Sequence, residues 1–260
     1  MDFLISFTGL DLPGWAWIIV LVSGAGIGIA KTAVPGSGIL VVALMAMALP
    51  SRMSVGVLLP LLLVGDMFAL GKFWRHTDRK LLLSLIPFAL AGLGAGFFIL
   101  RHVSDEALKP IIGAIILSLL AVRQVSEYYK KKSMEEGREP AGGRNPFLMG
   151  LFGFFAGFGT GMANSSGPIV SLYFLILRLP KLPFMATTTW FFFIMNMLKV
   201  PMYINLGIIN FQSLKIDLLA LPSVAGGALL GFWIVARIPQ RRFNQVVLAI
   251  AFAAAIRLVI

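Results

Sequence analysis

Apolar side chains come in runs at about 14–30, 37–50, 53–71, 80–100, 107–123, 147–163, 167–178, 184–206, 213–236 and 243–260, separated by short polar or glycine-rich breaks. A helix needs about 20 mostly apolar residues to cross the roughly 30 Å hydrocarbon core of a bilayer. Most runs meet that length. Two fall short, 37–50 and 167–178, and each follows a break of small residues: Val34-Pro35-Gly36-Ser37-Gly38 and Asn164-Ser165-Ser166-Gly167-Pro168. The pattern predicts an all-α polytopic membrane protein. Each half opens with a broken hairpin that either crosses twice or dips in and returns.

The longest polar stretch, Arg123 to Pro146, carries Lys130-Lys131-Lys132, Glu135, Glu136, Arg138, Glu139, Gly142-Gly143 and Arg144, and reads as a solvated linker. It divides the chain into a first transmembrane repeat at 1–123, a cytoplasmic linker at 124–146 and a second repeat at 147–260. Gly24, Gly28 and Pro35-Gly36-Ser37-Gly38 align with Gly153, Gly157 and Asn164-Ser165-Ser166-Gly167. Leu49-Pro50 then matches Leu179-Pro180, Asp66 falls opposite Asn196, and Pro87, Gly92 and Gly96-Phe97 match Pro222, Gly227 and Gly231-Phe232. Their constant order points to a duplication.

Composition agrees with lipid as the main solvent. The chain is 58% hydrophobic and 13% charged, against about a quarter charged in a soluble domain. The net charge of +11 would suggest nucleic acid if it lay on one face. Instead Lys and Arg cluster in short loops, where they act as topology signals, so nucleic acid is excluded as a partner. The 72–80 loop holds Lys72, Arg75, Arg79 and Lys80, and 237–242 holds Arg237, Arg241 and Arg242, whereas 206–212 has no charge. Basic loops belong inside, which puts 206–212 outside. Because 206–212 is the repeat equivalent of 72–80, the halves are predicted to be inverted, with both termini outside. Inverted repeats with broken helices are common among secondary transporters. The start, Met1 to Gly14, has no basic region, so no cleavable secretory signal is expected. The chain has no cysteine, which removes disulfides, thiolate nucleophiles and Cys-ligated metals.

Candidate chemistry lies in the breaks and in the few ionisable residues within spans. Helices starting after Gly38 and Gly167 would offer unpaired N–H groups and a positive dipole end to an anion, with Ser37, Asn164, Ser165 and Ser166 as added polar groups. Asp66 and Lys199 lie within apolar runs, where a charge costs at least about 2.5–3.5 kcal/mol and so has a partner or a function. Lys31 closes the first run on the predicted inner side, where an ion pair with Asp66 is expected, either structural or part of proton coupling. Asn164, Asn196 and Lys199 are expected to converge on the outer side. Asp66 reads as the only acidic residue well inside a span. Gly92, Gly94, Gly96, Gly226, Gly227 and Gly231 read as helix-packing faces, and the hydroxyls of Thr187-Thr188-Thr189 either line a path or, as the preferred reading, bond back to their own helix. No phosphate-loop, H-E-x-x-H or G-x-S-x-G motif occurs, and the two histidines, His76 and His102, fall in loops on opposite sides. Neither an enzyme nor a cofactor is expected.

The stretch Gly26-Ile27-Gly28-Ile29-Ala30-Lys31-Thr32, with Pro35-Gly36-Ser37-Gly38 and Leu59 to Asp66, resembles the first half of the sulfite exporter TauE/SafE family of bacterial inner-membrane permeases. Asn164 to Pro168, Lys181-Leu182-Pro183-Phe184, and Phe191 to Tyr203 with Asn196, Lys199 and Pro201, resemble its second half. The resemblance covers about residues 14–258. It departs where Thr32-Ala33-Val34-Pro35 replace a glycine-rich stretch. It implies export of small sulfur-containing anions (sulfite, sulfoacetate or related organosulfonates), with Lys31, Asp66, Asn164, Asn196 and Lys199 at the site. A homodimer is left open. Transport of another small solute or a metal cation is the alternative, and a non-transporting membrane enzyme or scaffold is the alternative of a different class.

Overall fold

The computed structural model describes residues 6–10, 12–33, 37–104, 146–164, 166–177 and 179–234, with isolated positions between 110 and 128. Most of the linker and of the runs at 107–123 and 243–260 lies outside the described residues, as do Val34, Pro35, Gly36 and Ser165. In chain order the helices are α1 (Gly14–Thr32), α2 (Ile39–Ala48), α3 (Ser51–Phe73), α4 (Arg79–His102), α5 (Pro146–Ala163), α6 (Gly167–Ile176), α7 (Lys181–Asn205) and α8 (Phe211–Ile234). There is no strand among the described residues.

The boundaries follow from local chemistry. Pro50 and Pro180, both extended, precede α3 and α7, and their carbonyls accept the first helical bonds, from Ser54 N at 2.8 Å and Phe184 N at 2.9 Å. Asp78 caps α4 by accepting from Leu81 N at 3.0 Å, a contact worth about 1 kcal/mol. Its own N–H donates to Thr187 Oγ1 at 3.0 Å, which pins α4 to α7. Pro60, Pro87, Pro201 and Pro222 lie inside α3, α4, α7 and α8, as membrane helices tolerate.

Gly14–Thr32, Ser51–His76, Arg79–His102 and Phe211–Trp233 are each long and apolar enough to cross a membrane. Trp15, Ile18, Leu83, Phe98, Leu229 and Trp233 are exposed, as lipid-facing side chains are. By contrast α2 and α6 have 10 residues each, about 15 Å of helix, or half a bilayer. Both fold back on the helix before them. A Cβ at Gly26 would meet Val41 Cγ2 at 2.9 Å, and the rings of Phe152 and Tyr173 stack with centroids 5.3 Å apart. Neither contact could form if the chain ran straight on through the break. Each short run therefore forms the returning arm of a hairpin.

Glycine faces join the helices in pairs. A Cβ at Gly28 would lie 2.2 Å from the Val224 carbonyl oxygen, and one at Gly227 would lie 2.1 Å from that of Ala25, so α1 and α8 are in backbone contact. The pair α4 and α5 repeats the arrangement, with Gly92 against Phe154 O and Gly157 against Ala89 O, each at 1.9 Å from the added carbon. Contacts advance in the same direction along both helices of each pair, so both pairs are parallel. Between them α3 packs on α7. The main apolar core runs through this centre, and a smaller cluster of Ala69, Phe73, Met185 and Ala186, with Phe232 against it, closes one end.

Candidate functional site

The two hairpin tips meet at the middle of α3 and α7 around a cavity of about 60 Å³. A water needs roughly 10–15 Å³ of such space, so the cavity holds about four to six waters or one small ion. Lys31 and Ile27 line it from α1, Gly38 and Ile39 from the start of α2, Asn164 and Thr160 from the end of α5, and Gly167 from the start of α6. Leu62 and Asp66 of α3 and Thr188, Thr189, Phe192 and Asn196 of α7 complete the wall.

Asp66 is the centre of the polar network and has no exposed surface. Its Oδ1 pairs with Lys31 Nζ at 2.6 Å, and its Oδ2 accepts from Asn196 Nδ2 at 2.8 Å. Lys31 reaches it because the preceding α3 residue is glycine: a Cβ at Gly65 would press to 3.0 Å on both Ile27 Cγ2 and Lys31 Cγ. The Lys31 side chain is 14% exposed, and its ammonium lies 4.7 Å from the centre of the Phe192 ring, a favourable placement for a cation.

Lys199 is fully buried. Its ammonium donates to Thr160 O at 3.2 Å, to Thr160 Oγ1 at 3.0 Å and to Asn164 Oδ1. Three donors thus meet three acceptors, which satisfies an ammonium group. Asn164 is held for this task. Its φ of 53° is left-handed, a conformation asparagine tolerates better than most residues, and its amide donates to Val55 O at 3.0 Å, leaving Oδ1 turned to the lysine. Tyr203 adds a hydroxyl bond to Gly161 O at 2.9 Å, with Lys199 Nζ 6.0 Å from its ring centre.

Lys31, Asp66, Asn164, Asn196 and Lys199 therefore gather in one place. The expected division into an inner Lys31–Asp66 pair and an outer group around Asn196 does not hold. Positions 66 and 196 face each other where α3 packs on α7, so Asn196 bonds the carboxylate of the Lys31–Asp66 pair. Ser37 and Ser166 are buried beside the α2 and α6 starts but do not line the cavity, and the Ser166 hydroxyl has no partner. Ser165 lies outside the described residues.

The threonines divide three ways. Thr189 Oγ1 donates back to the Met185 carbonyl at 2.8 Å, Thr187 accepts from Asp78, and Thr188, buried and lining the cavity, has no partner for its hydroxyl. Thr188 thus lines the cavity, against the preferred reading of a hydroxyl bonded back, and Thr160 is a lining residue that the sequence reading missed. Thr160 stood three positions beyond the matched Gly157, opposite Lys31 in the same alignment. Asp66 is also not the only buried acid within a span. Asp217 of α8 is 4% exposed with both carboxylate oxygens unpartnered, and its place near the start of the 213–236 run hid it.

A small, mostly apolar cavity with a few charged and hydroxyl groups, midway along α3 and α7, suits passage of a small solute. The family model described as Sulfite exporter TauE/SafE matches residues 20–258. The chain belongs to that family. It is accordingly a membrane transporter and not an enzyme. No curated protein and no solved structure matches the chain.

Proposed function

We propose that this TauE/SafE member is a secondary transporter that exports small sulfur-containing oxyanions (sulfite, sulfoacetate or related sulfonates) across a bacterial inner membrane by alternating access. The observation that carries the reading is the cavity itself, lined by Lys31 and Asp66, with Lys199 buried behind its wall and bonded to the lining residues Thr160 and Asn164, so that two lysines stand against one carboxylate. Excess positive charge in a low-dielectric site favours an anion and opposes a metal cation. The Thr188 hydroxyl and the starts of α2 and α6 supply further donors.

Inverted halves, 1–123 and 147–260 about the 124–146 linker, explain the packing best. Exchanging α1 with α5, α2 with α6, α3 with α7 and α4 with α8 maps the α1–α8 pair onto α5–α4. It also brings the equivalent positions Asp66 and Asn196 face to face. A central contact between equivalent residues is what a pseudo-two-fold axis produces. With the basic loops inside, both termini lie outside. In this reading the hairpin tips move against α3 and α7 to open the cavity to each side in turn, and Asp66 holds Lys31 when no anion is bound.

Sulfite efflux from proteoliposomes tests the function. Lys31→Met and Lys199→Met are each expected to lower the rate at least about a hundredfold, in line with loss of a buried charge contact. Wild-type rates in both variants would remove the cavity from the transport path.

A further inference from the structure

We infer that Asn164 is a positioning residue that clasps the tip of the second hairpin to α3 and α7 and holds the cavity closed toward the face of the 206–212 loop. The inference rests on the reading of this cavity as the transport site and adds what shuts one of its ends.

Between the cavity and that loop, side-chain hydrogen bonds tie the end of α5 to both central helices. Asn164 donates to Val55 O of α3 at 3.0 Å and accepts from Lys199 Nζ of α7. Lys199 also donates to Thr160 O at 3.2 Å and to Thr160 Oγ1 at 3.0 Å, and Tyr203 donates to Gly161 O at 2.9 Å. Val55, Lys199 and Tyr203 are buried. Beside them α3 and the loop are in backbone contact, since a Cβ at Gly56 would lie 2.4 Å from Ile208 O. Lys199 gives its bonds to the protein and stands behind the wall, whereas Asn164 lines the cavity. Asn164 is also the one non-glycine residue with a positive φ among the described residues, at 53°. Such backbone persists only where its surroundings hold it, and it gathers at switch regions.

The opposite end of the cavity is built differently. In the alignment of the two halves Ala69 stands for Lys199, Phe73 for Tyr203 and Pro35 for Asn164. None of these three side chains forms hydrogen bonds. Ala69 and Phe73 cluster instead with Met185, Ala186 and Phe232. A polar tie there, from Asp78 N to Thr187 Oγ1, joins α4 to α7 and bypasses the hairpin tip. The clasp therefore belongs to one end. Parting the α5 tip from α3 and α7 opens that end and breaks its bonds, so the bonds set how often it opens.

The chain has no cysteine, so Thr188→Cys places a single thiol on the cavity wall. Its reaction with a membrane-impermeant methanethiosulfonate reagent, added to right-side-out or inside-out vesicles of the full-length protein, reads access from each face. Asn205→Cys, at the exposed end of α7, marks which preparation presents the 206–212 loop. Asn164→Gly keeps the left-handed backbone, which glycine adopts freely, and removes the clasp. It is expected to speed labelling of Thr188→Cys from the 206–212 face on the order of thirtyfold, as loss of two hydrogen bonds implies. The rate from the other face should stay the same or fall. Tyr203→Phe removes one bond, should speed labelling from the 206–212 face about fivefold, and carries the test if Asn164→Gly fails to fold. A rate from that face within about twofold of the parent, or an equal rise at both faces as a merely loosened fold would give, would overturn the clasp and leave the transport site standing. Thr188→Cys unlabelled from both faces in every variant would overturn the cavity as a path to either face, and the clasp with it.

Discussion

Removing either partner of the Lys31–Asp66 pair should cost far more than removing both. Asp66 has no exposed surface, and its 2.6 Å contact with Lys31 is made at the closed wall of the cavity. Asp66→Asn keeps the shape but strands the ammonium. Breaking a buried pair costs about 3–5 kcal/mol, and the 14% exposure of Lys31 to the cavity places this variant near the lower bound, about 3 kcal/mol. Lys31→Met strands a fully enclosed carboxylate, held then by Asn196 alone, and should cost at least as much. The double variant strands nothing. Replacing a buried pair with neutral groups is often near neutral, so it should lie within about 2 kcal/mol of wild type. The singles sum to about 6 kcal/mol, which makes the coupling about 4 kcal/mol, within the range measured for close charge pairs. Denaturant unfolding in detergent micelles, followed by tryptophan fluorescence, gives the four free energies of the cycle. Single-variant losses that add to the double-variant loss within about 0.5 kcal/mol would show the two side chains to be independent and would refute the reasoning.

Four further variants have expected outcomes. Gly157→Ala should destabilise the fold by about 1–3 kcal/mol or more, because its Cβ would lie 1.9 Å from the Ala89 carbonyl oxygen. Gly94→Ala, with open space around the added carbon, should be neutral or stabilising by up to about 1 kcal/mol; the same unfolding assay separates the two. Thr188→Val should leave the unfolding midpoint unchanged, since its hydroxyl bonds nothing, yet raise the KM for sulfite efflux about fivefold to tenfold through loss of one hydrogen bond. Asp217→Asn should be neutral or stabilise by about 1–3 kcal/mol, because an unpartnered buried carboxylate gives way to an uncharged amide. A destabilised Asp217→Asn protein would mean that the carboxylate is held by a group outside the described residues.

The large features of the fold are legible as length and spacing. Runs of about 20 apolar residues give α3, α4, α7 and α8, and Leu-Pro at 49–50 and 179–180 marks where α3 and α7 begin. The broken hairpins are legible too, because Gly38 and Gly167 stand before runs too short to span. How far each hairpin reaches is not, since one that crosses twice and one that dips in and returns share the same local composition. The site is legible in part for a similar reason. Charges in apolar runs identify Lys31, Asp66 and Lys199 one by one, because each is costly in lipid. What joins them depends on the register between α3 and α7, which local spacing does not encode, and so the bond from Asn196 to Asp66 is not legible. Thr188 and Thr160 carry no charge and are invisible against other hydroxyls until their partners are known. Asp217 lies only six residues into α8, where a loop-end carboxylate and a buried one look alike in sequence.

In the proposed function the transported anion occupies the cavity beside the α2 and α6 starts. Selenite has the shape and charge states of sulfite and scatters X-rays anomalously. Crystals of the full-length protein grown with selenite are expected to show one anomalous peak within hydrogen-bond reach of Thr188 and Lys31, beside Asn164. Full selenite occupancy elsewhere, with that cavity empty in a protein that still exports sulfite, would contradict the account.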